Sequence, residues 1–125
     1  MILIVDDEAS IRKLMLQTLE ELDEVFEGLS FQVATNGSEA VEMARKTPPD
    51  VVLLDVMMPG INGYEVCEIL RGDETLKSTR VIMVTARGQD FDRAHGEMVG
   101  ADHYVTKPFD PGVIREMVAG ILRER

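Results

Sequence analysis

The chain alternates five short apolar runs with longer segments in which apolar residues recur every three to four positions. Short runs rich in β-branched or aromatic residues, without strict alternation, are typical of parallel strands buried on both faces. The predicted strands are Ile2–Val5, Phe31–Ala34, Val51–Leu54, Val81–Val84 and His103–Val105.

The intervening segments have the periodicity of amphipathic helices. Their apolar positions are Ile11, Leu14, Met15, Thr18, Leu19 and Leu22; Ala40, Val41 and Ala44; Val66, Ile69 and Leu70; Ala94, Met98 and Val99; and Ile114, Met117, Val118, Ile121 and Leu122. We expect Glu8 in the first turn of the first helix and Ser38 as the N-cap of the second. Gly100 is expected to end the fourth helix, and Pro111 suits the first turn of the fifth.

Strand and helix alternate five times, and this order predicts an α/β fold. Right-handed crossovers place the helices on both faces of a five-stranded parallel sheet, for which the flavodoxin-like order 2-1-3-4-5 is expected. No linker, repeat or low-complexity segment interrupts the pattern. We therefore expect one domain over residues 1–125, with no output domain.

The composition of the chain disfavours some classes of binding partner. The 125 residues carry a formal net charge of −10, which disfavours binding to a nucleic-acid backbone. No apolar run approaches the about 18 residues of a membrane span, and no signal peptide is recognisable. The single cysteine, Cys67, is expected to be a small buried hydrophobe in a cytoplasmic protein.

Polar residues follow the predicted strands. Asp6 and Asp7 follow the first strand, Asp55 the third, Thr85 the fourth and Lys107 the fifth. Because the carboxyl ends of parallel strands share one edge of the sheet, these side chains should meet there. Clustered carboxylates need a compensating cation, and oxygen ligands without His or Cys favour Mg²⁺. A metal, an ammonium and a hydroxyl around a carboxylate are parts suited to phosphoryl transfer.

Four segments resemble the receiver domains of bacterial two-component response regulators. They are VDDE, LLDVMMPGINGYE, VIMVTA and GADHYVTKPF, and the resemblance covers essentially the whole chain in order. It implies that Asp55 accepts a phosphoryl group from the phosphohistidine of a sensor histidine kinase or a phosphotransferase. It also implies a Mg²⁺ ion bound directly by Asp7 and Asp55, by Asp6 through water, and by the backbone carbonyl of Met57.

The resemblance further implies the phosphoryl contacts and the switch. Thr85, Lys107 and the backbone N–H of Ala86 would contact the phosphoryl oxygens. Tyr104 would be the switch aromatic that turns inward when Thr85 moves toward the phosphoryl group. The Lys107–Pro108 peptide bond is expected to be cis.

The output implied by the family is a surface formed by the fourth helix, fifth strand and fifth helix. This surface would act on a downstream protein partner or a detached output domain, and the family also allows a homodimer linked to phosphorylation. Its candidate residues here are Phe91, Met98, Val99, Tyr104 and Arg115.

The chain departs from many relatives in three places. His103 stands where many DNA-binding relatives carry a second acidic residue, and the segment 23–30 is several residues longer than usual. Met57 and Arg87 occupy positions that, in relatives, flank the path of the hydrolytic water. Bulky Met57 is expected to slow loss of the phosphoryl group.

Three other functions are less compatible with these residues. A flavin-binding module would need a Gly- or Ser-rich loop where Asp6, Asp7 and Glu8 stand. An aspartate-nucleophile phosphatase would need a second aspartate at Met57. A receiver that no longer accepts phosphate would be expected to lack part of the set Asp6, Asp7, Asp55, Thr85 and Lys107.

Overall fold

Five parallel strands form the centre of the fold. A computed structural model describes residues 1–86 and 90–124, with the backbone alone at positions 90–93. The strands are β1 (Ile2–Val5), β2 (Phe31–Ala34), β3 (Val51–Asp55), β4 (Arg80–Thr85) and β5 (His103–Thr106). They are ordered 2-1-3-4-5 with parallel pairing throughout, which confirms the predicted topology.

The helices follow the strands as the periodicity predicts. They are α1 (Ala9–Glu20), α2 (Gly37–Lys46), α3 (Gly63–Gly72), α4 (Asp90–Met98) and α5 (Pro111–Glu124). A 3₁₀ turn over Glu21–Glu24 extends α1, which accounts for the long segment before β2. Pro111 is the first residue of α5, and Gly100 has a φ of 94° just after α4, as expected.

Two hydrophobic cores cover the two faces of the sheet. Ile2 and Ile4 of β1 face a core shared with α1 and α5. Leu3 and Val5 face a second core shared with α2 and α3. All four β1 side chains are buried. Because neither face of the strand contacts water, its sequence is a continuous apolar run without alternation.

Two of the predicted helix starts are wrong. Asn36, not Ser38, caps α2, because its side chain accepts the backbone N–H of Glu39 at 2.8 Å. Glu8 precedes α1 instead of lying in its first turn. Its N–H donates to Asp6 Oδ1 at 2.9 Å, and its backbone remains extended.

Some predicted apolar positions face solvent. Leu14 is 40% exposed and Met98 is 84% exposed, and Ala94 is also exposed. Near the end of α4 the contact with the second core is made by Val99, which lies just after the last helical residue. Core packing is thus the wrong interpretation for Met98.

Cys67 is buried in α3, as expected. Its thiol donates to the Val99 carbonyl at 3.3 Å, and burial raises its pKa to about 11. A thiol with this pKa stays protonated near neutral pH and acts as a small apolar group.

Candidate functional site

The predicted site residues occupy one edge of the sheet. Asp55 ends β3 and pairs with Val84, so the following residue of β4, Thr85, continues to the same edge. Thr85 pairs with Thr106, the residue before Lys107. Asp6 follows β1, which lies beside β3. The parallel register therefore collects side chains that are up to about a hundred residues apart in the chain.

Lys107 connects the two buried carboxylates. Its ammonium donates to Asp6 Oδ2 at 2.8 Å and lies 3.7 Å from Asp55 Oδ1. Burial works against the ammonium, but the hydrogen bond to Asp6 and the charges of Asp55 and Asp6 outweigh it and raise the pKa of Lys107. The Lys107 N–H donates to the Thr85 carbonyl at 2.6 Å, and the Lys107–Pro108 bond is cis, as expected. Lys107 is thus a fixed positive charge at the site.

Asp55 carries an unfavourable charge in this setting. Its side chain is only 5% exposed, and burial together with the charge of Asp6 raises its pKa to about 6. The Lys107 ammonium and the Met57 N–H, which donates to Asp55 Oδ1 at 3.3 Å, oppose this shift without cancelling it. One ammonium does not neutralise the site, so a further cation or a positively polarised group would be stabilising there.

Three consecutive acids form a group with the spacing of metal ligands. One carboxylate oxygen from each of Asp6, Asp7 and Glu8 lies within 4.8 Å of the others, with Asp6 buried and the other two exposed. The helical pattern of the sequence predicts Glu8 as part of α1 and gives no sign of its place in this group. Arg12 was also missed: its guanidinium donates to the Asp6 carbonyl at 2.8 Å and holds the turn after β1.

The remaining predicted site residues differ in how far they are buried. Thr85 is fully buried, Ala86 is exposed, and Met57 is 52% exposed beside Asp55. The ring of Tyr104 is partly buried against the second core. Arg87 lies outside the described residues.

A glycine allows α3 to begin directly against the end of β3. A Cβ at Gly63 would lie 2.5 Å from the carbonyl oxygen of Asp55, and the Gly63 N–H donates to the Val56 carbonyl at 2.9 Å. Asn62 and Glu65 cap the helix reciprocally through their side chains and backbone N–H groups. This tight start holds the backbone of Asp55 in place.

The expected output surface has mixed character. Met98 is the most exposed large apolar residue in the described part of the chain, and Arg115 forms an ion pair with Glu21 at 3.3 Å. A cavity of about 250 Å³ is lined by Glu97, Ala101, Asp102, His103 and Tyr104. The side chain of Phe91 lies outside the described residues.

A larger cavity, of about 320 Å³, opens at the opposite end of the sheet around Pro49 and Arg80, away from Asp55.

This fold and this arrangement of acids and lysine define a receiver domain. The chain belongs to the response regulator receiver domain family, whose sequence profile matches residues 2–119. It is thereby a receiver domain of two-component signalling, a class of signalling proteins rather than classical enzymes.

Curated relatives are transcriptional regulators. The chain is 41% identical over 122 residues to the transcriptional regulatory protein ResD of Bacillus subtilis. It is 40% identical over 122 residues to the alkaline phosphatase synthesis transcriptional regulatory protein PhoP of the same organism. Each alignment covers 98% of this chain and 48% of the relative, so the chain spans about half the length of the curated relatives it matches.

Solved structures agree with this assignment. The chemotaxis protein CheY4 of Vibrio cholerae superposes with a TM-score of 0.85 at 31% identity, covering 96% of both chains. Among the described residues, no helix is both long and apolar enough to cross a bilayer.

Proposed function

We propose that this domain is a switch that accepts a phosphoryl group on Asp55 from the phosphohistidine of a sensor histidine kinase or a phosphotransferase. The observation that carries the proposal is the setting of Asp55. It is a nearly buried carboxylate at a strand end, 3.7 Å from the Lys107 ammonium, and its pKa is raised to about 6. A strongly perturbed carboxylate in a cleft is typical of a reactive group. Positive charge placed beside it would stabilise its ionised form.

Mg²⁺ fits the donors at this edge. The available ligands are carboxylate and carbonyl oxygens, which hard cations prefer, and the described site has no histidine or thiol ligand. Asp7 and Asp55 would bind the ion directly, together with the backbone carbonyl of Met57, and Asp6 would act through water. When bound, Mg²⁺ neutralises charge on the carboxylates and the phosphoryl oxygens.

The transfer itself exchanges one bond for another. An oxygen of Asp55 forms a bond to phosphorus while the phosphorus–nitrogen bond of the phosphohistidine breaks, and the bonding electrons stay with the imidazole nitrogen, which takes up a proton. Lys107, the hydroxyl of Thr85 and the backbone N–H of Ala86 contact the phosphoryl oxygens. Their role is to stabilise charge in place, which is the main protein contribution to phosphoryl transfer.

In this proposal, phosphorylation changes the populations of two arrangements of Thr85 and Tyr104. Thr85 moves toward the phosphoryl group, Tyr104 turns inward, and the preference of the phosphoryl group for this arrangement changes its population. The surface of α4, β5 and α5 then meets a downstream protein or a separate output domain. Residues 1–125 act as a single domain in this scheme and contact neither nucleic acid nor membrane themselves.

Intact-mass measurement after incubation with acetyl phosphate tests the acceptor. We expect the wild type to gain the mass of one phosphoryl group only when Mg²⁺ is present. Asp55→Asn should show no gain, and Asp7→Asn should require far more Mg²⁺. Asp23→Asn, which removes the same charge from an exposed position, is the matched control and should behave as the wild type.

Two results would contradict the proposal. One is a phosphoryl gain that persists in Asp55→Asn, since the acceptor would then be another residue. The other is a folded wild type that gains no mass from acetyl phosphate or from any phosphorylated histidine kinase.

A further inference from the structure

The turn between β1 and α1 is formed by Asp6, Asp7 and Glu8. Asp6 is buried, whereas the side chains of Asp7 and Glu8 are exposed. The carboxylate of Asp7, a proposed direct ligand of Mg²⁺, therefore takes its position from the backbone of this turn. The contacts that hold this backbone decide where the ligand lies before the ion binds.

Hydrogen bonds from α1 and from within the turn hold this backbone. The Arg12 guanidinium donates to the Asp6 carbonyl at 2.8 Å, and the Arg12 N–H donates to the Glu8 carbonyl at 3.1 Å. The Glu8 N–H donates to Asp6 Oδ1 at 2.9 Å. The side chain of Arg12 is partly buried, so its bond to the turn is shielded from water in part.

The Asp6 carbonyl belongs to the peptide unit that leads into Asp7. A peptide unit is planar and rigid, so a bond to its carbonyl oxygen also restricts the direction of the Asp7 N–H and the position of the Asp7 Cα. The guanidinium of Arg12 contacts Asp6, but through this peptide plane it acts on the backbone from which the Asp7 side chain projects.

Asp6 itself has other contacts that keep it in place. Its N–H donates to the Ala34 carbonyl of β2 at 3.3 Å. Its side chain accepts the Glu8 N–H at Oδ1 and the Lys107 ammonium at Oδ2. Loss of the Arg12 guanidinium would leave these contacts intact and would free the peptide unit between Asp6 and Asp7. The contribution of Arg12 is therefore directed at Asp7.

The charge of Arg12 and its hydrogen bond predict opposite effects on a bound cation. A guanidinium close to a cation site repels a divalent ion, so its charge by itself would weaken Mg²⁺ binding. Its observed contact is with a neutral carbonyl, and groups that orient the ligands of a metal strengthen binding. The sign of the change in Mg²⁺ affinity when Arg12 is replaced therefore distinguishes the two effects.

We propose that Arg12 is a positioning residue for Mg²⁺: its guanidinium fixes the Asp6 carbonyl and thereby places the Asp7 carboxylate for the ion. The inference rests on the proposed function, in which Asp7 binds Mg²⁺ directly. Its consequence is that Mg²⁺ binding weakens when this hydrogen bond is lost, in spite of the positive charge that is removed with it.

Titration of the unphosphorylated protein with Mg²⁺, followed through the backbone amide resonances of the turn in NMR spectra, measures the dissociation constant. For Arg12→Met we expect this constant to rise about tenfold, the lower end of the effect of removing a group that orients a metal ligand. Lys13→Met is the matched control, because it removes the same charge from the neighbouring, exposed position of α1. It should leave the dissociation constant unchanged or lower it slightly. Arg12→Lys keeps the charge and a donor, and should recover part of the affinity.

An unchanged or lower dissociation constant in Arg12→Met would overturn the proposal, because the guanidinium would then act through its charge or not at all. Equal increases in Arg12→Met and Lys13→Met would overturn it as well. If Arg12→Met does not fold, Arg12→Gln, whose side chain is shorter and uncharged, replaces it with the same expected result.

Mg²⁺ binding is measured without a phosphoryl donor, so the role of Arg12 and the acceptor are tested separately. A raised dissociation constant in Arg12→Met, with no phosphorylation of Asp55 in the wild type, would support the role of Arg12 and reject the acceptor. An unchanged dissociation constant with normal phosphorylation would reject the role of Arg12 alone. A wild type that binds no Mg²⁺ would reject both the role of Arg12 and the proposed magnesium site.

Discussion

At the residue scale, the carboxylate of Asp55 is the most informative group. Burial and the negative charge of Asp6 outweigh the attraction of Lys107, and the pKa of Asp55 rises to about 6. The folded protein therefore holds this proton more tightly than the unfolded chain, whose carboxyl has its ordinary pKa near 3.8. The stability that this difference contributes is present below pH 4 and is lost as the pH rises through 6.

Asp55→Asn should therefore stabilise the metal-free protein in a pH-dependent way. In chelator at pH 7.5 the variant should exceed the wild type by on the order of 2–3 kcal/mol in unfolding free energy, because the buried charge is gone. This advantage should shrink toward zero near pH 4, where Asp55 of the wild type is protonated. Urea unfolding at several pH values measures it.

The exposed control Asp23→Asn should show no comparable trend. A constant difference between Asp55→Asn and the wild type from pH 4 to 7.5 would show that the charge of Asp55 does not destabilise the fold.

At the element scale, short-range hydrogen bonds decide where the helices begin. The amide side chain of Asn36 caps α2, whereas Ser38 lies inside the helix and is exposed. Both residue types are good N-caps, so the sequence alone offered two neighbouring candidates. The backbone of Asn36, which is extended while that of Ser38 is helical, distinguishes them.

Asn36→Ala should cost about 1 kcal/mol of unfolding free energy, since the Glu39 N–H loses its partner. Ser38→Ala should change it by less than about 0.5 kcal/mol, as is usual for exposed surface positions. Chemical denaturation of the two variants measures the difference. A larger loss of unfolding free energy for Ser38→Ala than for Asn36→Ala would show that Ser38, and not Asn36, caps α2.

At the scale of the whole molecule, Arg71 joins segments that are distant in the chain. From the end of α3 its guanidinium donates to the carbonyl of Gly100 at 2.9 Å and to that of Thr79 at 2.6 Å. It also pairs with Asp102 at 2.9 Å, and its side chain is 24% exposed. One planar group thus connects α3 to the segments before β4 and β5.

Arg71→Met should lower the unfolding free energy by about 2–3 kcal/mol, because partly buried carbonyls and a carboxylate lose their donor. Arg71→Lys should recover only part of this loss, since an ammonium lacks the planar fork. Arg45→Met is the control: Arg45 is 57% exposed and meets Asp73 at 3.4 Å, so its loss should cost less than about 0.5 kcal/mol. Thermal or urea unfolding measures all three, and equal effects of Arg71→Met and Arg45→Met would contradict this role.

The local pattern of apolar residues is enough to predict the order of the strands and helices and the topology of the sheet, but not the residues at which α1 and α2 begin. Val51–Leu54 and its counterparts are short, continuous apolar runs rich in β-branched residues, which favours buried strands, and alternation with helices leaves few topologies. The same reasoning placed Asp6, Asp55, Thr85 and Lys107 at one edge, because parallel strands all end on the same side.

The contacts between these groups depend on the folded structure. That Lys107 lies at 2.8 Å from Asp6 but 3.7 Å from Asp55 depends on strand register and helix packing across a hundred residues. The raised pKa of Asp55 and the exposure of Met98 have the same origin. Periodicity is a local property of the chain, whereas burial and charge compensation depend on neighbours that the fold brings from elsewhere in the sequence.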